Sequence, residues 1–292
     1  MALPATAATM EDIVIDQQGR PLLAGTTTFS ECTENGPKMK KQGVIVPAGC
    51  GLNDDDLRGA LARFAAEGGT GELIDLVAAG NLPAELIAGP RAPRVRPASL
   101  LVLRRPLPQL LAAPGSHEEA ADALLAEQAR LVPDKFALFR GAVKNKRARW
   151  NLCIDDFACE PDYASGQGRV IKFADLPLTA AIRAALPRYF GEKAAGLRAE
   201  ANYYYEKKSG IGFHGDGERR KVIAVRYGRA IPLHYQWFHR GKPVGDRIVV
   251  SLAAGELYAM SEVAVGTDWM SSSQLTLRHA AGGDTYLRIA GQ

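Results

Sequence analysis

Within Gly210-Ile211-Gly212-Phe213-His214-Gly215-Asp216-Gly217-Glu218-Arg219-Arg220, a histidine and an aspartate stand two residues apart. On a β-strand successive side chains alternate faces, so His214 and Asp216 aim at one point while Gly215 adds no bulk between them. Two imidazoles and one carboxylate on three adjacent corners of an octahedron leave three corners open, the arrangement used by non-haem Fe(II) oxygenases. The missing imidazole must come from elsewhere in the chain. His279 supplies it, in Leu277-Arg278-His279-Ala280-Ala281-Gly282-Gly283-Asp284-Thr285-Tyr286-Leu287-Arg288, with an arginine nine residues beyond it. The open corners suit a chelating 2-oxo acid and dioxygen, and the chemistry expected of such a centre is oxidation of a C–H bond.

Residues of this kind need a rigid frame, and the C-terminal part of the chain reads as one. From about residue 198, Ala201–Tyr205, Val222–Tyr227, Leu233–Phe238, Arg247–Leu252, Glu256–Met260, Gln274–His279 and Thr285–Ile289 are β-rich and bounded by Gly, Pro or Asp turns. Many short strands at this spacing predict a sandwich or barrel. Before them, acids at Glu118-Glu119 and Ala/Leu periodicity predict a helix over Ser116–Leu131. A strand is expected at Phe136–Phe139, and a helix over Leu176–Phe190 with Pro177 in its first turn and Ile182, Leu186 and Phe190 on one face. The first 115 residues read as a mixed helical and irregular extension packed on the core. Asn53-Asp54-Asp55-Asp56 offers an N-cap and acidic first turn for a helix stopped by Gly68-Gly69, a second helix is expected over Glu72–Ala79, and Gly89–Pro97 reads as an extended linker.

The surroundings of the triad sharpen the reading. Asn202 and Tyr204 share one strand face by alternation and are candidates to hydrogen-bond a co-substrate, and Arg288 offers a planar guanidinium suited to bidentate capture of a carboxylate. In this order, Asn202-x-Tyr204, His214-x-Asp216, His279 and Arg288 resemble the AlkB-like branch of the Fe(II)/2-oxoglutarate-dependent dioxygenases, over roughly residues 130 to 292. The resemblance implies an α+β fold with a double-stranded β-helix, or jelly-roll, core and flanking helices. It divides the chain into an extension (1–115) and a dioxygenase domain (116–292). It assigns Fe(II) to His214, Asp216 and His279, the distal carboxylate of 2-oxoglutarate to Arg288, and the walls of that pocket to Asn202 and Tyr204. It makes dioxygen the second co-substrate, and Glu218 a candidate contact to a target base, with pairing to Arg219 or Arg220 as its structural alternative. A second arginine that such enzymes place a few residues further on is missing, because the chain ends at Gln292; Arg278 and Arg226 are the candidate substitutes.

Substrate signals are weaker. Lys144-Asn145-Lys146-Arg147-Ala148-Arg149-Trp150 is the densest basic cluster, read either as a solvated surface or as cations for phosphates with Trp150 stacking on a base. The net charge of +4 permits nucleic-acid binding without demanding it. Together with Glu218 and the basic cluster, the AlkB-like resemblance implies as substrate an alkyl or methyl group on a nucleobase of DNA or RNA. The alternative is the same iron chemistry on a protein side chain or a small metabolite, or with a different co-substrate. Cys32, Cys50, Cys153 and Cys159 lack metal or disulfide spacing and read as reduced packing residues. With neither a signal segment nor a membrane span, an intracellular protein of cytoplasm or nucleus is expected, with no obligate protein partner. His117 is expected to be exposed at a helix start, and no Walker, Rossmann or nucleophile-elbow motif occurs.

Overall fold

Reciprocal capping starts the two long helices that precede residue 130. Asn53 Oδ1 accepts from the Asp56 N–H while Asp56 accepts from the Asn53 N–H, and Ser116 and Glu119 repeat the arrangement. The computed structural model describes residues 23–36, 39–88 and 95–289. The N-terminal half contains β1 (Ala24–Ser30), β2 (Cys32–Glu34), β3 (Lys41–Gly43), α1 (Asp54–Ala66), β4 (Thr70–Asp75), α2 (Leu76–Ala79), α3 (Ala84–Ile87), β5 (Ser99–Arg104), α4 (Leu107–Leu111) and α5 (His117–Ala129). There follow β6 (Phe136–Phe139), β7 (Ala142–Asn145), β8 (Trp150–Asp155), β9 (Val170–Lys172), α6 (Pro177–Phe190), β10 (Arg198–Tyr204), β11 (Gly210–His214) and β12 (Val222–Gly228). The chain closes with β13 (Leu233–His239), β14 (Lys242–Val250), β15 (Leu257–Met260), α7 (Glu262–Val265), β16 (Leu275–Gly282) and α8 (Asp284–Leu287).

These elements form three layers. An eight-stranded open sheet has the order β4-β5-β15-β12-β1-β10-β8-β9, and a four-stranded antiparallel sheet has the order β11-β16-β13-β14. One face of the large sheet packs its Leu101, Leu103, Leu152, Ile223 and Val225 against Leu57 and Phe64 of α1, Leu124 of α5 and Ile182 and Leu186 of α6. Strand alternation sends Leu100, Val102, Val222, Ala224 and Met260 the other way, into a second core with Tyr235, Trp237, Ile248 and Leu277 of the small sheet. Two apolar faces on one sheet need a cover on each side, and helices and the second sheet provide them.

The mixed α+β class is as expected, and several elements differ from the sequence reading. The described part of the first third of the chain does not only pack on the core as an extension but supplies strands of the large sheet. β1 lies inside the large sheet, between β12 and β10, and β4 and β5 form one of its edges. Alternation alone cannot tell whether a strand joins the main sheet, because pairing is a long-range choice. The helix expected over Glu72–Ala79 is a strand through Asp75, paired with β5, and turns helical only where the Asp75 carboxylate accepts from the Val77 and Ala78 N–H groups. Thr285–Ile289 is not a strand. Gly282 (φ +109°) packs its Cα against the Gly210 backbone, which leaves no room for a side chain; β16 ends there and α8 begins. His117 opens α5 but is buried, its Nε2 2.9 Å from the Ala254 carbonyl oxygen. Among the described residues no cysteines are paired, and no helix is long and apolar enough to cross a membrane. Most of the Gly89–Pro97 linker lies outside the described residues.

Candidate metal centre

His214 ends β11 opposite His279 of β16, a cross-strand pair reached through an irregularity in register between Ile211 and His214. Their rings lie 4.5 Å apart between centroids. Asp216 is not on the strand, as alternation had implied. It sits in the following turn, where its N–H donates to the Val265 carbonyl (3.0 Å). Its Oδ1 is 3.4 Å from His214 Nε2 and 3.8 Å from His279 Nε2. The turn comes this close because Gly215 has no side chain: a Cβ there would meet the Gly266 carbonyl oxygen at 1.9 Å.

The three side chains fit a metal ion. Their ligand atoms all lie within 4.8 Å of one another. His214 Nδ1 lies 2.8 Å from the Gly212 oxygen and 3.0 Å from the His279 oxygen, so it carries the proton and leaves the Nε2 lone pair facing Asp216. Burial, assisted by His214, pushes His279 down to about 3, against the pull of Asp216, and so keeps this imidazole neutral as a metal ligand must be. Burial alone would raise the Asp216 carboxyl, but Arg219, His214 and His279 together hold it well below the usual carboxylate range. Two neutral nitrogens and one anionic oxygen make a donor set for a divalent transition metal.

The triad lines a cavity of about 540 Å³ between the two sheets, within the range of small-molecule sites. From the large sheet, Thr26, Asn151, Glu200, Asn202, Tyr204, Arg226 and Tyr258 face it; Glu34 of β2, Arg149 and Glu218 complete the polar wall. Arg219 is buried, with Nη2 2.5 Å from Glu200 and 2.6 Å from Glu218 and Nε 3.7 Å from Asp216. Asn151 Nδ2 donates to Glu200 (2.8 Å) and Asn202 (2.7 Å), and Arg149 Nε donates to Asn202 Oδ1 (2.6 Å).

The expected residues therefore divide. His214, Asp216 and His279 come together, and Tyr204 and Asn202 line the cavity, although Asn202 is already bonded to Arg149, Asn151 and Glu200. Glu218 lines it too and pairs with Arg219, its structural alternative. Arg288 does not line it: with β16 ended at Gly282, Arg288 follows α8 on the exposed surface. Arg278 does not line it, and packs over Phe238 and over Trp269, which does. Of the basic cluster, Arg149 reaches the cavity and Lys144 and Arg147 are exposed, but the Lys146 ammonium is buried without a hydrogen-bond partner, and burial pushes it down to about 8. Trp150 is not a free stacking surface either; it stacks on Tyr205 at 4.1 Å with the Lys135 ammonium over its ring.

Arg226, weighed from the sequence only as a substitute, lines the cavity as a cation without an acidic partner. It is 3% exposed, its Nη1 donates to Thr26 Oγ1, and its Nε and Nη2 have no hydrogen-bond partner. None of the ion pairs of the described residues involves it, so a charge removed from water lacks an acidic partner. The signal was a single arginine in the apolar strand Val222-Ile223-Ala224-Val225-Arg226-Tyr227, on the face shared by Val222 and Ala224. Arg219, Glu200 and Glu34 carried no comparable local signal.

No family model matches the chain. It is 38% identical over 265 residues to an uncharacterized protein of Acanthamoeba polyphaga mimivirus, an alignment spanning 90% of this chain and 97% of the viral one. The chain belongs to the family of that viral protein. Likeness over nearly the whole of both chains fits the single sheet in which N-terminal and C-terminal strands alternate.

Two outcomes follow from this geometry. Gly215→Ala forces the Asp216 turn away from Gly266, so Co(II) or Mn(II) affinity is expected to fall by about 100-fold or more, measured by calorimetric titration, while the fold persists by circular dichroism. Glu34 is raised to about 7 by burial, with Glu218 and Glu200 adding, so between about 4.5 and 7 the folded chain holds a proton that the unfolded chain has lost. Stability contributed by this group therefore falls as pH rises through that window. Glu34→Gln is expected to stabilise the protein by about 1 kcal/mol at pH above 7 and by little near pH 4.5, read from denaturant midpoints.

Proposed function

We propose that the protein is an Fe(II)- and 2-oxoglutarate-dependent dioxygenase, resembling the AlkB-like branch, that oxidises an alkyl or methyl group on a nucleobase of DNA or RNA. The observation that carries this reading is the meeting, in one cavity, of a two-histidine, one-carboxylate set and a buried arginine without an acidic partner. On this reading the facing sheets are the two halves of a double-stranded β-helix, with His214 and His279 paired on adjacent strands of one of them.

Iron held by His214, Asp216 and His279, with a 2-oxo acid and dioxygen, supplies an oxidant able to break a C–H bond. The chain's own residues make that possible. Gly212 and His279 carbonyls fix the His214 tautomer, and Arg219 keeps the Asp216 carboxylate ionised and oriented. Arg226 offers its unpartnered Nε and Nη2 to the remote carboxylate of 2-oxoglutarate, replacing Arg288 in that role, in a cavity wall shared with Tyr204 and Tyr258. Such a bond is charge-assisted on both sides and buried, which places it among the strong ones.

A nucleic-acid substrate is supported by the hairpin of β6 and β7. From Lys135 to Ile154 the chain has six Lys and Arg residues and no acid. The hairpin exposes Phe136 (42%), Phe139 (48%) and Val143 (44%), and sets Arg140 and Lys144 over the Phe139 ring. Exposed aromatics among cations suit a strand whose bases stack while its phosphates are neutralised. The hairpin adjoins the cavity: Gly36, in its lining, lies against Ala137 and Lys146.

Fe(II)-dependent conversion of 2-oxoglutarate to succinate is expected, abolished by His214→Ala. Arg226→Met is expected to raise the KM for 2-oxoglutarate about 100-fold, equivalent to roughly 3 kcal/mol, and Arg288→Met to leave it unchanged. Loss of turnover in the Arg288 variant with normal KM in the Arg226 variant would refute the assignment.

A further inference from the structure

Each cavity carboxylate but one has a partner. Asp216 faces the two histidines and Arg219, Glu200 accepts from Asn151 and Arg219, and Glu218 accepts from Arg219. Glu34, at the end of β2, lines the same cavity with neither a hydrogen bond nor an ion pair from its carboxyl among the described residues. The charged groups around it are Glu200 of β10, Glu218 and Arg219 of the turn after β11, and Lys41 opposite it on β3, with Arg149 elsewhere in the cavity wall. Burial first, and then the nearby Glu218 and Glu200 carboxylates, disfavour a further negative charge, and Lys41 and Arg219 only partly offset them; the carboxyl is pushed up to about 7.

A neutral carboxyl differs chemically from a carboxylate in what it can recognise. It presents an O–H donor beside a C=O acceptor, whereas the ionised form only accepts. The complement of the neutral form is an amino group next to a ring nitrogen with a free lone pair. Adenine and cytosine carry that edge, thymine and uracil do not, and amide side chains pair with adenine through a similar donor–acceptor set.

We propose that Glu34 is the specificity-determining residue of the cavity, its carboxyl pairing with a substrate edge that sets an amino group beside a ring nitrogen. The proposal rests on the nucleobase reading above and assigns to the N-terminal third of the chain a direct part in choosing the base.

The test is fluorescence-anisotropy binding of labelled oligo(dA) and oligo(dT) to the full-length protein at fixed ionic strength. If only the neutral carboxyl pairs, wild-type affinity for oligo(dA) falls about tenfold between about pH 6 and about pH 8. Glu34→Gln keeps a donor–acceptor pair and binds oligo(dA) at the tighter strength across that range, without the pH step. Glu34→Ala binds it at least as weakly as wild type at the higher pH, and oligo(dT) binding changes with neither substitution. Wild-type binding of oligo(dA) matched by Glu34→Ala, or a pH step that persists in Glu34→Gln, would overturn the role of Glu34 and leave the nucleobase reading standing. Failure of the wild-type protein to bind either oligonucleotide would overturn both.

Discussion

The buried Arg219 guanidinium is the interaction around which the cavity is organised. It touches Glu200 on β10 and Glu218 in the turn after β11, and lies 3.7 Å from the Asp216 carboxylate. A charge taken out of water persists only when it is paired and hydrogen-bonded, and removal of one partner leaves the others exposed to the full cost of burial. The pairing ties the eight-stranded sheet to the turn that carries Asp216. It also leaves three carboxylates around one cation, so the neighbourhood keeps an excess of negative charge. That excess favours a metal cation between His214, Asp216 and His279, and it disfavours ionisation of Glu34.

Arg226 is the opposite case: it is hydrogen-bonded to Thr26, lies over the Tyr258 ring, and has neither an acidic partner nor a hydrogen bond from Nε or Nη2 among the described residues. A region in which carboxylates outnumber the cation they share and a buried cation without an acidic partner line one cavity. A metal ion and a carboxylate-bearing co-substrate would satisfy both, which is why the arginine and the triad carry more together than either does alone. The glycines at 215 and 266 supply the remaining constraint, since the Asp216 turn reaches the histidines only through a backbone contact that tolerates no side chain.

The parts legible in the sequence were those set by near neighbours. The caps at Asn53 and Ser116, the amphipathic α6 and most C-terminal strands follow from local patterns, and so did the selection of His214, Asp216 and His279. What pairing decides was not legible. β1 looked like part of an extension because nothing in Ala24–Ser30 reveals that it lies between β12 and β10. Arg288 looked like an anchor because the strand was carried past Gly282, whose backbone contact ends it. Lys146 read as a phosphate-binding or solvated cation and Trp150 as a candidate for stacking on a base, yet the Lys146 ammonium is buried and Trp150 stacks on Tyr205. Arg226 required knowing which face of β12 meets the cavity, and Glu34 required knowing that β2 reaches it at all.

The most direct test of the central claim is an anaerobic crystal structure with Mn(II) in place of iron and 2-oxoglutarate bound. Metal density on His214 Nε2, the Asp216 carboxylate and His279 Nε2, with the remote carboxylate of 2-oxoglutarate on Arg226, is the predicted result. Metal bound away from these three residues, or a co-substrate whose carboxylate lies on another cation while Arg226 stays unpartnered, would contradict it.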